Sequence, residues 1–207
     1  MAAQHDPTGR LILITGGVRS GKSDFAERCA AQLATPHHGG VAYVATAQVW
    51  DEELAARIAR HRAARPAGWR TIEAPYRLVE GISQALEEGA SVVLVDSIDF
   101  WVSNRLLREE PVAGDRLDPA RLAALEAVLL DEVAELVALH RRPARAHLIL
   151  VTLEAGMGVV PPYPLGRAFR DLLGRVNRAL AAAADSVYLL VVGLPLEIKQ
   201  LSATGLA

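Results

Sequence analysis

Five short runs of the chain are almost wholly apolar: residues 11–15 (LILIT), 41–45 (VAYVA), 91–95 (SVVLV), 147–152 (HLILVT) and 186–192 (SVYLLVV). They do not alternate apolar with polar, so they predict strands covered on both faces. Weaker strand signals lie at 70–74 and around 197–199. Between these runs the apolar residues recur at helical spacing over 22–34, 52–65, 76–88, 98–108, 119–141 and 166–184. The alternation predicts an α/β fold, a mostly parallel sheet flanked by helices on both faces and joined by right-handed crossovers. The most loop-like insertion is 108–119, REEPVAGDRLDP, broken by Pro111, Gly114 and Pro119. No internal repeat is visible, and 207 residues suit one domain, expected over 10–207 after a flexible tail at 1–9.

In such a sheet ligands bind beyond the carboxyl ends of the strands. The predicted ends fall after Thr15, Ala45, Ala74, Val95 and Thr152. The first is followed by GGVRSGKS: Gly16, Gly17, Val18, Arg19, Ser20, Gly21, Lys22 and Ser23. This fits G-x-x-x-x-G-K-[ST] in its required context, after a strand and opening a helix. The glycines let backbone N–H groups converge on phosphate oxygens, and the helix N-terminus adds its positive end. Of the 22 lysines and arginines, only Lys22 and Lys199 are lysines, which singles out Lys22 as the phosphate-facing charge. Ser23 offers a hydroxyl to Mg²⁺. Asp96, at the end of the 91–95 strand, stands where a second carboxylate of such an enzyme holds the metal or its water. Its neighbour Asp99 reads as a helix-entry acid.

Beyond the second strand, residues 57–66 read RIARHRAARP. Spacing by four puts Arg57, His61 and Arg65 on one helical face. On spacing alone, a solvated basic helix end accounts for the run. Against it, three like charges repel unless an anion lies among them, and guanidinium neighbours disfavour a protonated imidazole. A neutral imidazole at His61 would be suited to attack phosphorus while guanidinium groups hold the phosphate oxygens. The fifth strand runs into 153–164, a Gly/Pro-rich loop containing Glu154, long enough to line a substrate site. Arg167, Arg170, Asp171, Arg175 and Asn177, on the helix after it, read as solvated or as a subunit contact.

Composition narrows the classes. The chain is 51% apolar and 22% charged, enough for a sizeable core. A net charge of -2 and 5% aromatics argue against a nucleic-acid binder, so any anion site is local. The lone Cys29 permits no intramolecular disulfide and reads as a buried thiol. The N-terminus lacks a signal-type apolar stretch and no run is long enough to cross a bilayer, so a cytoplasmic enzyme is expected.

Taken in order, GGVRSGKS, YVAT, DEELAARIARHRAARPAGWRTIEAP, LVDSIDFWVSN, VTLEAGMGVVP and the stretch from FRDLLGRVN to PLEIK resemble the bifunctional adenosylcobinamide kinase / adenosylcobinamide-phosphate guanylyltransferase family of cobalamin biosynthesis. The resemblance runs over about residues 10 to 200. It implies a RecA-like P-loop fold, a homotrimer and two reactions. ATP or GTP would phosphorylate adenosylcobinamide, and GTP would then donate GMP, by way of an enzyme histidine, to give adenosylcobinamide-GDP. The family's H-x-x-x-R-P run places that histidine at His61, with Ala45, Thr46, Ala47, Arg62, Ala63, Ala64, Arg65, Glu73 and Asp96 lining the GTP site. Three positions depart from the family pattern: Leu153 for a polar side chain, Ser97 for a frequent cysteine, and Asp99 for a small polar residue. Two rivals predict different behaviour. A single-activity P-loop kinase would transfer only the γ-phosphate, and a RecA-like switch or DNA-stimulated ATPase would respond to DNA.

Overall fold

The computed structural model describes residues 9–34, 40–48, 65–109, 117–142 and 146–201, together with 52, 55, 56, 59 and 62. Its elements are β1 (Leu11–Gly16), α1 (Lys22–Leu33), β2 (Val41–Ala45), β3 (Arg70–Glu73), α2 (Leu78–Glu87), β4 (Val92–Asp96), α3 (Ile98–Glu109), α4 (Pro119–His140), β5 (His147–Val151), α5 (Pro164–Ala183), β6 (Ser186–Val191), β7 (Leu194–Glu197) and the short α6 (Ile198–Leu201). Glu52, Ala55, Ala56, Ala59 and Arg62 are also helical. Among the described residues the strands form one sheet in the order β3-β2-β4-β5-β1-β6-β7. Every pairing is parallel except that of β6 with β7.

The expected α/β architecture is therefore the observed one, and its two-sided burial follows from the apolar strands. Leu11, Leu13, Val93, Val95, Leu148 and Leu150 point to the face covered by α2, α3, α4 and α5. Ile12, Ile14, Tyr43, Leu94, Ile149 and Val151 point to the other, against Ala26 and Ala30 of α1. Successive side chains alternate between the faces, so the parity of a residue fixes which layer it joins. Half-buried Cys29 belongs to the α1 layer, and burial pushes its thiol above the usual range.

Several boundaries differ from the sequence reading. The weak C-terminal strand signal resolves into β7 followed by α6, with the Glu197 carboxylate accepting from the backbone N–H of Val187, Lys199 and Gln200. Helix α5 starts earlier than expected because Pro164 sits at its first position, where no N–H is needed. Helix α4 begins at Pro119 as the proline suggested, with Asp118 accepting from the Ala120 N–H at 2.8 Å. The helix expected over 52–65 does not reach Arg65, which lies in a bend before Pro66. The stacked face of Arg57, His61 and Arg65 is corrected accordingly, since Arg65 leaves the helical spacing. Arg57, His61, Ala63 and Ala64 lie outside the described residues, as do 110–116 of the insertion and 1–8 of the N-terminal segment.

Candidate active site

The phosphate loop joins β1 to α1 in the middle of the sheet, between β5 and β6. Its path demands glycine at two points. Gly16 has φ 152, and a Cβ there would stand 2.6 Å from the Leu190 carbonyl oxygen and 2.8 Å from Ser20 Oγ. Gly21 caps α1 in the left-handed region at φ 89, which leaves the first N–H groups of the helix pointing into the loop. The loop is clamped from both neighbouring strands. The Glu154 N–H after β5 donates to Gly16 O at 3.0 Å, and the Gly193 N–H after β6 donates to Ser20 O at 3.0 Å. Lys22 Nζ arches back to donate to Gly17 O at 2.7 Å, so its ammonium lies over the loop. Gly17, Val18 and Arg19 are exposed, Lys22 and Ser23 half-buried and Ser20 buried. Thr15 Oγ1 and Ser20 Oγ are buried without a hydrogen-bond partner among the described residues. Buried hydroxyls are seldom left so, and both would be satisfied by an anion or its water.

The second cluster is set by register. Parallel pairing aligns Ala45 with Glu73 on one side and with Asp96 on the other, so the three share one cross-strand row and one face. Two residues earlier, Tyr43 lies between Thr71 and Leu94 on the same face. It is the face covered by α1, the helix into which the phosphate loop leads. Tyr43 OH donates to Asp96 Oδ2 at 2.7 Å. The Arg65 guanidinium lies 3.3 Å from the centroid of the Tyr43 ring, and its Nη1 donates to Thr71 Oγ1 at 3.1 Å. Arg62 pairs with Glu73. Burial, reinforced by the Asp96 carboxylate, pushes the Tyr43 phenol far above its usual range, so it stays a donor.

Thr46 ties this edge to the next layer. It is fully buried, and its Oγ1 accepts from the Ser97 N–H at 2.7 Å and donates to Ser97 O at 2.6 Å. Asn104 Nδ2 donates to Thr46 O and Pro75 O at 2.8 and 2.9 Å, locking the ends of β2 and β3 onto α3. Thr46 thus fastens the strand ends from a buried position, while Ala45 and Ala47 on either side of it are half-buried.

The profile of the family described as cobinamide kinase / cobinamide phosphate guanyltransferase matches residues 12–198. The bifunctional adenosylcobalamin biosynthesis protein CobU of Salmonella typhimurium is 42% identical over 191 residues, spanning 91% of this chain and 99% of its own length. CobU of Escherichia coli is 42% identical over the same spans. The corresponding CobP of Pseudomonas aeruginosa is 42% identical over 187 residues, 90% of this chain and 96% of its own. The chain belongs to the cobinamide kinase / cobinamide phosphate guanyltransferase family.

Against that family the departures find physical places. The half-buried Leu153 side chain packs on the core, while its carbonyl accepts from Asn177 Nδ2 at 3.0 Å. Asn177 is not simply solvated, for Thr152 Oγ1 also donates to its Oδ1 at 2.7 Å. Arg167 holds the carbonyls of Pro161 and Pro162, and Arg175 pairs with Glu126 at 2.7 Å, so both have internal partners. Ser97 is buried in the Thr46 lock. Asp99 was legible only as a helix-entry acid, yet the first turn of α3 carries it back to the sheet edge. There burial pushes its carboxyl above the usual range, opposed by a hydrogen bond with Ser97, with the Asp96 and Lys22 charges nearby. Tyr43 was missed altogether. Its signal was the single aromatic in VAYVA, since a buried tyrosine hydroxyl needs a partner.

Proposed function

We propose that both family reactions run along this one face of the carboxyl edge, the phosphate loop serving mainly the kinase step and the β2–β4 cluster mainly the guanylyl step, with Asp96 shared by both. The observation that carries the reading is that the 16–23 loop and the row of Glu73, Ala45 and Asp96 both stand at the carboxyl edge of one parallel sheet. In the kinase step, the backbone N–H groups of residues 16–21 and Lys22 bind the phosphates of ATP or GTP and place the γ-phosphorus. The substrate's aminopropanol oxygen attacks that phosphorus, the bond to the nucleoside diphosphate breaks, and the hydroxyl proton is released.

Mg²⁺ is part of the proposal. Among the described residues no group of three His, Cys, Asp or Glu side chains gathers to hold a metal. The donor set that fits is the one Mg²⁺ favours with nucleotides, namely a hydroxyl and a carboxylate with phosphate oxygens completing the shell. Ser23 and Asp96 would hold it, and when bound it neutralises charge on the transferring phosphoryl group.

In the guanylyl step, Ala45, Thr46, Ala47, Arg62, Ala63, Ala64, Arg65, Glu73 and Asp96 line the GTP site. A ring nitrogen of His61 attacks the α-phosphorus, an N–P bond forms and pyrophosphate leaves. A phosphate oxygen of adenosylcobinamide phosphate then attacks the same phosphorus, the N–P bond breaks and adenosylcobinamide-GDP departs. Arg65, flat on Tyr43, is suited to phosphate oxygens because its plane is fixed in advance. The reading extends to one domain over 10–207, a cytoplasmic location, no nucleic-acid partner and a homotrimer. Exposed Val192, Leu194 and Leu201 at the β7 edge of the sheet offer apolar surface that a neighbouring subunit would cover. No helix among the described residues is long and apolar enough to cross a membrane.

The test is incubation of the protein with adenosylcobinamide and either γ-labelled ATP or α-labelled GTP, followed by product identification. Adenosylcobinamide phosphate from the first and adenosylcobinamide-GDP from the second are expected. Phosphate transfer alone would favour the single-activity kinase.

A further inference from the structure

Tyr43 touches two of the charged groups of the site, Asp96 and Arg65. It is 3% exposed, in the middle of β2, and carries no charge. Its position is fixed by pairing with Thr71 of β3 and Leu94 of β4. Asp96 lies two residues beyond Leu94 on the same face, within reach of the phenol oxygen across the diagonal of the sheet. That oxygen donates to Asp96 Oδ2 at 2.7 Å. On the ring's face sits the Arg65 guanidinium, 3.3 Å from the centroid. Arg65 has one hydrogen bond to the neighbouring strand, from Nη1 to Thr71 Oγ1, while its buried Nε has no hydrogen-bond partner among the described residues. The stack on Tyr43 therefore sets the plane of that guanidinium.

We propose that Tyr43 is a positioning residue for both reactions: its hydroxyl fixes the rotation of the Asp96 carboxylate toward the metal, and its ring is the shelf that orients Arg65 toward the phosphates of GTP. The proposal rests on the assignment of Asp96 and Arg65 to the nucleotide site made above. A carboxylate with one oxygen tied cannot turn freely, so its other oxygen is aimed, which is how a partner behind a metal ligand tunes affinity. An arginine stacked on an aromatic face keeps its fork of donors in one plane, which a free side chain would have to find on binding.

A core role alone predicts something different. Tyr43→Phe keeps the ring, its packing and the Arg65 shelf, and removes only the hydroxyl. Tyr43→Leu removes the shelf as well. The experiment uses the full chain and Mn²⁺ as a spectroscopic stand-in for Mg²⁺, titrated in the presence of a non-hydrolysable GTP analogue. Affinity for the analogue without metal is measured in parallel, and circular dichroism confirms that each variant folds. Tyr43→Phe is expected to weaken Mn²⁺ binding about tenfold while keeping the metal-free affinity for the analogue. Tyr43→Leu is expected to lose both. Asp96→Asn separates the two layers of the argument. If Asp96→Asn leaves Mn²⁺ binding intact, the assignment of Asp96 fails and the proposal falls with it. If Asp96→Asn loses Mn²⁺ while Tyr43→Phe binds it like the parent, the assignment stands and the positioning role is overturned.

Discussion

At the centre of the sheet, β1 is flanked by β5 and β6, and its loop presents mostly backbone: the N–H groups of residues 16–21, with Lys22 arched over them. Toward the β3 edge, the groups gathered by β2, β3 and β4 are side chains: Arg62 on Glu73, Arg65 on Tyr43 and Tyr43 on Asp96. The first region is built by eight consecutive residues and held from behind by hydrogen bonds from the two neighbouring strands. The second is assembled from residues as far apart as Tyr43 and Asp96, brought together only by register. A backbone cradle tolerates little change in shape, whereas a side-chain cluster can be retuned residue by residue.

The largest difference between the two regions is expected from Lys22→Met. It removes the ammonium that arches over the phosphate loop, and phosphoryl transfer should fall by about 10²–10³, as read in initial rates with γ-labelled ATP. A loss of only a few-fold would mean that the 16–23 loop is not where the γ-phosphate is handled. Next comes Gly16→Ala. The new Cβ would meet backbone at 2.6 Å, where nothing flexible can yield. A loss of about 1–3 kcal/mol in chemical denaturation is expected, together with weakened nucleotide binding.

At the other region, Arg65→Lys keeps the charge but loses the planar stack on Tyr43. A cation on an aromatic face contributes from about 0.5 to about 2 kcal/mol, more when desolvated. Guanylyl transfer should therefore drop about tenfold, a fall of about 1.4 kcal/mol in transition-state stabilisation, with the kinase rate less affected. Equal losses in both rates would show that the two clusters are not divided between the reactions.

The smallest effect is on stability. Asp99 has a folded-state pKa raised by burial, so the folded chain holds that proton to higher pH than the unfolded chain does. Its contribution is fully present below the unfolded value and is lost as pH rises through the folded value. Asp99→Asn should therefore raise the melting temperature at pH 8, by about 2–4 °C for each kcal/mol relieved in a chain of this size. The gain should vanish below the ordinary carboxylate range. A variant less stable than the parent at pH 8 would contradict that reading.

Legibility in the sequence follows the same division. The sheet and its helices could be read because fully apolar strands and helical spacing are local patterns, and so is the 16–23 motif. Asp96 was visible because a carboxylate at a strand end is a local sign too. Tyr43 was not, because its meaning lies in a diagonal across β2 and β4 that no spacing along the chain encodes. The pattern that runs on to Pro66 puts Arg65 on a helical face, whereas the helix has already ended there and the side chain has turned back onto β2. Asp99 looked like an ordinary first-turn acid, since the return of that turn toward Lys22 depends on how α3 leaves the sheet. The pairing of Asn177 with the 152–153 turn was hidden for the same reason.

Two transfers on one sheet edge, with a histidine carrying GMP, predict a definite outcome for covalent labelling with α-labelled GTP. The parent protein should acquire an acid-labile, alkali-stable label characteristic of a phosphorus–nitrogen bond. His61→Ala should acquire none while still binding GTP and still phosphorylating adenosylcobinamide. Undiminished labelling of His61→Ala would contradict the account.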